Sequence, residues 1–328
     1  MKRYLFWKHI SFIALLSCTS STYIAPSFQP KEPDKMPQTL RILTYNIQAF
    51  LTKDSTKSMD LLTAINRSDF DIVTFQELFT ESLRKTYREG INKEKYPSIV
   101  DRVDITSFPE CLAQDAGLFT LSRYEMLDLS ALKLPKTYVT GKSIFKVLKK
   151  EFSISLDFLS NKSVLGSLYK RNEHSFLLLF TTHTQALGSR KHKFKQFQEI
   201  GSFVKESVNS IIEQLGVSPS QLSILLTGDF NFDAYDTKME NNTHTRYEEM
   251  LFKLGSPRDL HKEFHYDKKE FTWSANKPRK RFDYIFSYDS IGSIGLNPIR
   301  IENISVTDFK SGHESISDHF ALEATLTF

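Results

Sequence analysis

Side chains of the types that bind metal ions and move protons follow four separate apolar runs of the sequence. Asn46 ends LTYN, Glu77 follows DIVTFQ, and His183 ends LLLFTTH. Asp229 and Asn231 lie in ILLTGDFN. One such residue means little, because Asp and Asn commonly form turns after strands. Several of them, each after a different run, predict a site assembled where strands end.

Three further residues of this kind occur late in the chain. Asp283 lies in KRFDYIFSY, and the pair Asp318 and His319 lies in SISDHFALEATL. The whole set suits a hard cation such as Mg²⁺, which prefers carboxylate and carbonyl oxygens and keeps several waters. Its spacing is unlike that of a zinc site, where Cys or His recur at short intervals. We therefore predict a Mg²⁺ site, with Mn²⁺ or Co²⁺ as substitutes for the ion.

The elements that must position these residues alternate between strands and helices. Apolar runs predict a first strand from Leu40 and further strands at 71–75, 118–121, 176–182 and 222–227. Their near-continuous apolar content indicates burial on both faces. The clearest helix is predicted at 190–215, where apolar residues recur at spacings of three, four or seven, at Phe194, Phe197, Ile200, Val204, Ile211 and Leu215. Strands covered by such helices predict a layered α/β sandwich.

Composition agrees with one folded domain. The chain has 328 residues, of which 40% are hydrophobic and 25% charged, a balance that allows a large core. Without the three basic residues of the first ten positions, the formal net charge falls from +4 to +1. A near-neutral body gives no support for a large electrostatic footprint on nucleic acid. Cys111 is expected to be a small buried apolar residue.

The N-terminal segment has the pattern of an export signal. A basic start precedes an apolar run at 10–16, which is too short for a membrane span of about 20 residues. We interpret residues 1–18 as a signal peptide whose LLSC end resembles a bacterial lipobox, in which Cys18 is lipidated. Ordinary cleavage and an uncleaved anchor are the alternatives. Residues 19–39 are predicted to be a tether, and the protein to be an exported envelope lipoprotein or secreted.

Five segments in order resemble the endonuclease/exonuclease/phosphatase superfamily, whose fold is similar to that of deoxyribonuclease I. They are TYN, QE, GDFN, FDYI and SDH, and the resemblance runs from Leu40 to Phe328. It implies a four-layer α/β/β/α sandwich at 40–328, a single catalytic domain. It also implies hydrolysis of a phosphate ester by water with a divalent metal.

The resemblance assigns a role to each residue near the predicted metal. Glu77 would be the main Mg²⁺ ligand, helped by Asn46. Asp318 would bind the cation through water or support its loop. His319 would be the general base, with Asp283 or Asp229 on its other ring nitrogen.

The remaining assignments concern water and phosphate. Asp229 and Asn231 would position the attacking water and a phosphate oxygen, with Gly228 allowing close approach of the backbone. His183 would donate a hydrogen bond to the phosphoryl oxygens. The other histidines are expected to be surface or structural residues: His174, His192, His244, His261, His265 and His313.

Segments that differ within the superfamily indicate the substrate. TTHTQ and FTWSANK are similar to bacterial neutral sphingomyelinases, which assigns Gln185, Trp273 and Asn276 to substrate binding. The resemblance implies a phospholipase-C-type reaction by a monomer on sphingomyelin in a membrane surface, releasing ceramide and phosphocholine. Membrane docking would use another loop or a lipid anchor on Cys18.

Two departures weaken the lipid interpretation. Residues 289–317 hold only Phe309 as an aromatic residue, where secreted sphingomyelinases often have an aromatic-rich hairpin. The Lys-Gly pair of the family is present only loosely, as NKSVLG at 161–166. A secreted nuclease, a phosphoinositide phosphatase and a non-catalytic binding protein remain alternatives. The nuclease would bind nucleic acid in a cationic groove built from Lys277, Arg279, Lys280 and Arg281.

Overall fold

The computed structural model describes residues 37–49, 55–101, 115–134, 138–152, 156–266, 268–274 and 278–328. The predicted signal peptide, most of the tether, Cys18, Cys111 and Asn276 lie outside these residues, so what was predicted for them stays a prediction. Within the described ranges, no helix combines the length and the apolar character needed to cross a membrane.

Strands outnumber helices among the described residues. Numbered along the sequence, they are β1 Thr39–Asn46, β2 Ile72–Gln76, β3 Ser98–Val100, β4 Phe119–Ser122, β5 Tyr138–Thr140, β6 Ser143–Val147, β7 Ser163–Asn172, β8 Ser175–His183, β9 Leu222–Asp229, β10 Arg258–Asp259, β11 Asp283–Tyr288, β12 Ser290–Ile291, β13 Ile294–Gly295, β14 Arg300–Thr307, β15 Lys310–Ser311, β16 Glu314–Ser315 and β17 Ala321–Thr327. The helices are α1 Ser55–Arg67, α2 Glu81–Gly90, α3 Leu156–Leu159, α4 Arg190–Leu215, α5 Arg246–Lys253 and α6 Leu260–His265.

Two large sheets contain most of these strands. The six-stranded sheet has the order β14-β17-β1-β2-β4-β3, and the seven-stranded sheet has the order β10-β11-β9-β8-β7-β6-β5. β1 and β2 are parallel in the first sheet, and β8 and β9 are parallel in the second. Within each sheet, the central parallel strands therefore end at a common edge.

Alternation along each central strand explains the layers. In β1, Ile42 packs between the two sheets, while Leu43 packs against helices α1 and α2. In β8, Leu179 packs between the sheets, while Phe180 packs against α4. Because successive side chains point to opposite faces, each sheet buries one face against the other sheet and one against helices. The predicted four-layer α/β/β/α sandwich is confirmed.

The predicted elements agree closely with the observed ones. Each strand end lies within two residues of its prediction, and α4 has the predicted bounds. The Ser189 side chain caps α4 by accepting from the amide of His192, and Gly216 ends it in the left-handed conformation at φ 67°. Leu215 was wrongly placed in the core stripe, since it is exposed at the last position of the helix.

The space between the sheets becomes polar near the ends of the parallel strands. The Gln76 amide donates to the hydroxyls of Thr44 at 3.1 Å and Thr181 at 3.2 Å. The hydroxyls of Thr74 and Thr227 lie 3.3 Å apart. Each such bond contributes about 0.5–1.5 kcal/mol, but an unmatched buried polar group costs more. This paired polar layer therefore fixes the relative register of the two sheets just below the predicted site.

Candidate active site

Strand register brings the predicted residues to one edge of the sandwich. Asn46, at the end of β1, is paired with Gln76 at the end of β2. Asp229, at the end of β9, is flanked by His183 of β8 and by Asp283 of β11. The Asn46 amide joins the two sheets, donating to the Asp229 carboxylate at 2.8 Å. Residues from four strands thus meet at a single point.

Unusual backbone conformations mark this edge. Glu77 and Asn231 have φ of 62° and 47°, in the left-handed region that side chains other than Gly rarely adopt. Such positions cost about 1–3 kcal/mol and cluster at functional sites. Gly228 has φ 125°, and a Cβ there would lie 2.0 Å from the carbonyl oxygen of Thr182. The neighbouring strand β8 therefore requires glycine at 228, and the predicted approach of this backbone to a phosphate stays a prediction.

His319 and Asp283 form a buried pair. The ring Nδ1 of His319 lies 2.8 Å from the Asp283 carboxylate, and the Nε2 lies 3.7 Å from the Asp229 carboxylate. Of the two partners considered for His319, the structure therefore places Asp283 on Nδ1. Burial disfavours the charged ring, but Asp283 and Asp229 outweigh it and raise the pKa of His319 to about 10.

The carboxylates beside this pair are crowded and desolvated. Burial raises the pKa of Asp229 to about 7, with Asp283 adding to the rise and His319 opposing it. Burial also raises the pKa of Glu77. The Asn46 amide bridges the two carboxylates, since its Nδ2 also donates to Glu77 at 3.1 Å. Added positive charge would relieve the repulsion at this point.

Among these residues, His183 indicates most clearly that the site binds a ligand. Its ring is buried, yet neither nitrogen has a hydrogen-bond partner among the described residues. Nε2 lies 3.5 Å from the Glu77 carboxylate and 3.8 Å from that of Asp229. Burial, followed by the charges of Lys162 and His319, holds the pKa of His183 well below its usual value. A neutral ring with free nitrogens faces the carboxylates.

These features fit a divalent cation. One ligand atom each from Glu77, His183 and Asp229 lies within 4.8 Å of the others. Glu77 and Asp229 would supply hard oxygen ligands. The Asn46 oxygen instead accepts from the backbone amide of Gln48 at 3.0 Å, so its predicted ligation requires rotation of the amide and stays a prediction.

Asp318 and Trp273 support the segment that carries His319. The indole of Trp273 donates to the Asp318 carboxylate at 3.2 Å, and the Trp273 backbone forms a bridge with His319. Trp273 therefore helps to position His319, and its predicted contact with substrate stays a prediction. Asp318 borders the site, because its charge acts on Glu77.

The Gln185 side chain is bonded to a neighbouring loop. Its amide oxygen accepts from the Glu151 backbone at 2.9 Å, and its amide nitrogen donates to the Glu151 carbonyl at 2.9 Å. Its side chain is fully buried. Both polar ends are therefore used to fix a loop, and substrate contact by Gln185 stays a prediction that this geometry does not favour.

Sequence reasoning missed two lysines near the site. Lys162 is buried and pairs with Asp157 at 2.7 Å, while its charge acts on Glu77 and His183. Lys193, in the first turn of α4, donates to the carbonyl of Asn231 at 2.7 Å. Burial lowers its pKa to about 8. Lys162 is the lysine of the loosely matching Lys-Gly pair in NKSVLG, to which no role at the metal site was assigned from the sequence.

The cationic groove considered for a nuclease is not formed as predicted. Arg281 is fully buried, with its guanidinium bonded to both oxygens of Asp259 at 2.5 and 3.1 Å. Its charge is satisfied inside the fold, so it cannot track a nucleic-acid backbone. Lys280 stacks on the rings of Trp273 and Phe282, and Lys277 lies outside the described residues.

Comparison with known proteins agrees with this architecture. A model of the endonuclease/exonuclease/phosphatase family matches residues 43–319. No curated protein sequence matches the chain. A beta toxin mutant from Staphylococcus aureus with bound magnesium ions is 16% identical, with a TM-score of 0.55 over 87% of this chain and 98% of that one.

Two further solved structures have the same fold. Sphingomyelinase C from Streptomyces griseocarneus is 16% identical, with a TM-score of 0.56 over 88% of this chain and 99% of that one. TDP2 from D. rerio, complexed with a single-strand DNA product, is 15% identical, with a TM-score of 0.57 over 88% and 99%. Identities this low show a shared fold and leave the substrate undetermined. The family match itself spans most of the chain, which therefore belongs to the endonuclease/exonuclease/phosphatase family.

Proposed function

We propose that this protein is a divalent-metal-dependent phosphodiesterase that hydrolyses sphingomyelin to ceramide and phosphocholine. The hydrolase part rests on one observation, the buried His319–Asp283 pair beside the desolvated carboxylates of Glu77 and Asp229. Members of the family hydrolyse phosphodiester bonds, and the pair supplies the proton acceptor that such a reaction needs.

His319 takes the proton of the attacking water in this proposal. Asp283 holds Nδ1 and so leaves Nε2 as the atom that accepts the proton. The same contact stabilises the imidazolium that forms. Only the neutral ring can act as base, and the positive charge of a bound cation would favour that form by lowering the pKa of His319.

Other residues stabilise charge on the phosphate. The neutral His183 has a ring N–H available for a phosphoryl oxygen, since neither nitrogen is bonded within the described structure. The ammonium of Lys193, held beside Asn231, adds positive charge at the same edge. A bound divalent cation would neutralise charge on the phosphate or leaving oxygen.

The lipid part of the proposal draws on the surface around His183. The segment after His183 is tied through Gln185 to Glu151, and the neighbouring Phe152 is 75% exposed. Leu187 is 56% exposed on the same loop. Phe309 instead packs on Tyr45, with ring centroids 5.6 Å apart. Exposed apolar side chains beside the site suit a membrane substrate better than a polyanion, and the loss of Arg281 from the surface agrees.

Substituting Asp283 by asparagine should move the pH profile. Because Asp283 raises the pKa of His319, its removal lowers that pKa, and the acid limb of kcat/KM moves to lower pH by about 1–3 units. The maximal rate should also fall, because the imidazolium loses its partner. The matched control is Asp289→Asn, directly after the same strand, where the side chain is 48% exposed. A limb that stays in place or moves to higher pH contradicts His319 as the base.

The substrate is tested with vesicles. Purified protein with Mg²⁺ should release phosphocholine from sphingomyelin vesicles faster than from phosphatidylcholine vesicles, and should release no inorganic phosphate from phosphoinositides. Plasmid DNA is the parallel substrate. DNA cleavage that falls steeply with salt, without phosphocholine release, would support the hydrolase activity and rule out sphingomyelin as the substrate.

A double variant separates membrane docking from chemistry. Phe152→Ser with Leu187→Ser should reduce turnover on vesicles while leaving turnover of detergent-dispersed sphingomyelin near the wild-type value. Met239→Ser, at another exposed apolar residue, is the control. Equal loss on both substrate forms would contradict a docking role for this surface.

A further inference from the structure

Two histidines outside the active site lie one helical turn apart and face the same carboxylate. His261 and His265 belong to α6, in the sequence HKEFH, and their ring centroids are 4.5 Å apart. The Nε2 of His261 lies 3.1 Å from Oε2 of Glu270, and the Nε2 of His265 lies 3.4 Å from the same oxygen. His261 is almost fully buried.

We propose that His261, His265 and Glu270 form a second metal site, which takes a transition-metal ion of the Zn²⁺ type. Zn²⁺ binds imidazole nitrogen and carboxylate oxygen at about 2.0–2.2 Å, so ligand atoms around a tetrahedral ion lie about 3.4 Å apart. The two observed nitrogen–oxygen distances, 3.1 and 3.4 Å, lie at or slightly below this value, and all three ligand atoms lie within 4.8 Å of one another. Small shifts of the side chains would therefore bring the three atoms around one ion.

Ligand type separates this site from the catalytic one. Two nitrogens and one oxygen favour a borderline ion such as Zn²⁺, whereas the oxygen-rich active site favours Mg²⁺. The catalytic cluster also contains buried carboxylates from Asp229 and Asp283, while this cluster has one carboxylate, from Glu270. The two sites should therefore select different ions.

Hydrogen bonds offer the competing explanation for the cluster. The Nε2 of His265 lies 2.8 Å from the carbonyl of Ile304, and the ammonium of Lys268 lies 2.5 Å from the other oxygen of Glu270. Metal binding would replace the bond to Ile304. Lys268 is 65% exposed and occupies Oε1, so it leaves Oε2 for the ion.

The environment leaves room for a fourth ligand. A cavity of about 210 Å³ adjoins His261 and is lined by Tyr235, Tyr266, Lys268 and Lys269, among others. Water or a small anion can reach the ion from this side. Arg281 also borders the cavity, but its charge is paired with Asp259. The site would therefore be tetrahedral, with three protein ligands and one exchangeable ligand.

A metal ion bound at this second site would hold the segment from Glu270 to Trp273, which supports the active site. Glu270 lies two residues before Thr272, whose hydroxyl accepts from the amides of Phe282 and Asp283 at 3.0 and 3.1 Å. Trp273 follows and bonds Asp318. A metal that joins α6 to this segment would thus stabilise the fold around the site without touching the substrate.

Metal content and thermal unfolding test the proposal. Wild-type protein equilibrated with Zn²⁺ should hold one more ion than His261→Asn, His265→Gln or Glu270→Gln protein, by elemental analysis after dialysis. Zn²⁺ should raise the unfolding temperature of wild type more than that of each variant. Substitution with Co²⁺ should give a tetrahedral absorption spectrum that the variants lack. His313→Gln, at an exposed position, is the control.

Two results would overturn the proposal. The first is equal Zn²⁺ content in wild type and variants. The second is wild-type binding that disappears in Glu77→Gln protein, which would assign the zinc to the active site. His265 and Glu270 are 14% and 19% exposed, so their variants decide the matter if the buried His261 variant does not fold. Phosphodiesterase activity with Mg²⁺ is measured separately and need not change.

Discussion

Replacing His319 with glutamine is expected to lower kcat for phosphodiester hydrolysis by about 10²–10⁴-fold, the usual contribution of a general base. Glutamine has no group that takes a proton near neutral pH, yet its amide can still donate to Asp283. KM should change little, because the proton is transferred in the transition state and not in the bound ground state. Steady-state kinetics on the best substrate of the panel measure both constants.

The matched control is His313→Gln, an identical substitution at an exposed position. Its kcat should equal that of wild type. Far-UV circular dichroism and the unfolding midpoint show whether the His319 variant keeps its fold, since the ring is buried beside Asp283 and Asp229. A folded His319→Gln protein that retains more than a tenth of kcat would remove His319 from the role of base.

The layers of the fold follow from local patterns that the sequence displays directly. Apolar runs such as LLLF in β8 bury both faces, and the helix stripe with Phe197 and Ile200 covers one of them. Turn residues and strand ends then place Asp229 and His183 side by side through parallel pairing. A strand that is apolar on both faces must be covered on both sides, which leaves few possible layer arrangements. The layers and the strand-end site were therefore predictable.

The orientation of side chains at the site was not predictable from the same patterns. Whether Asp283 or Asp229 contacts Nδ1 of His319 depends on the antiparallel register of β9 and β11, which has no local signal. The Asn46 oxygen is held locally, by the backbone amide of Gln48, but the Asp229 carboxylate that accepts from its nitrogen comes from a distant strand. Such choices depend on contacts between distant segments.

The burial of two charged residues was not predicted from the sequence. Lys162 is buried close to the site although a surface position was the simplest expectation for a lysine. Arg281 is buried against Asp259 although its basic neighbours suggested an exposed groove. His261 and His265 carried a signal, their spacing of one helical turn, but Glu270 joins them only after the chain has left α6.

Glu77→Gln should give the second large effect. The difference in stability between this variant and wild type should change sign when metal is added. Burial raises the pKa of Glu77, so the metal-free carboxylate is unfavourable where it lies, and the neutral amide should be tolerated equally well or better. Without divalent ions, the variant should therefore unfold at the same temperature as wild type or a higher one. Its backbone strain at φ 62° is unchanged by the substitution.

Adding Mg²⁺ should reverse this order. Wild type gains about 2.7 kcal/mol of stability when the ion is present at about 100 times its Kd, whereas the variant gains much less. Loss of several kcal/mol of charge stabilisation should also lower kcat/KM by about 10³-fold. Calorimetric titration with Mg²⁺ and thermal unfolding measure the binding without relying on turnover.

Glu81→Gln is the matched control for Glu77, because Glu81 lies at the start of α2 and is 58% exposed in an ion pair with Arg88. Its response to Mg²⁺ should equal that of wild type. If the Glu77 variant binds Mg²⁺ with wild-type affinity, the ion must instead be bound by other carboxylates, such as those of Asp229 and Asp283. A Glu77 variant that is less stable than wild type without metal would show instead that Glu77 stabilises the fold. A buried carboxylate whose role is to bind a cation should not stabilise the fold when the cation is absent.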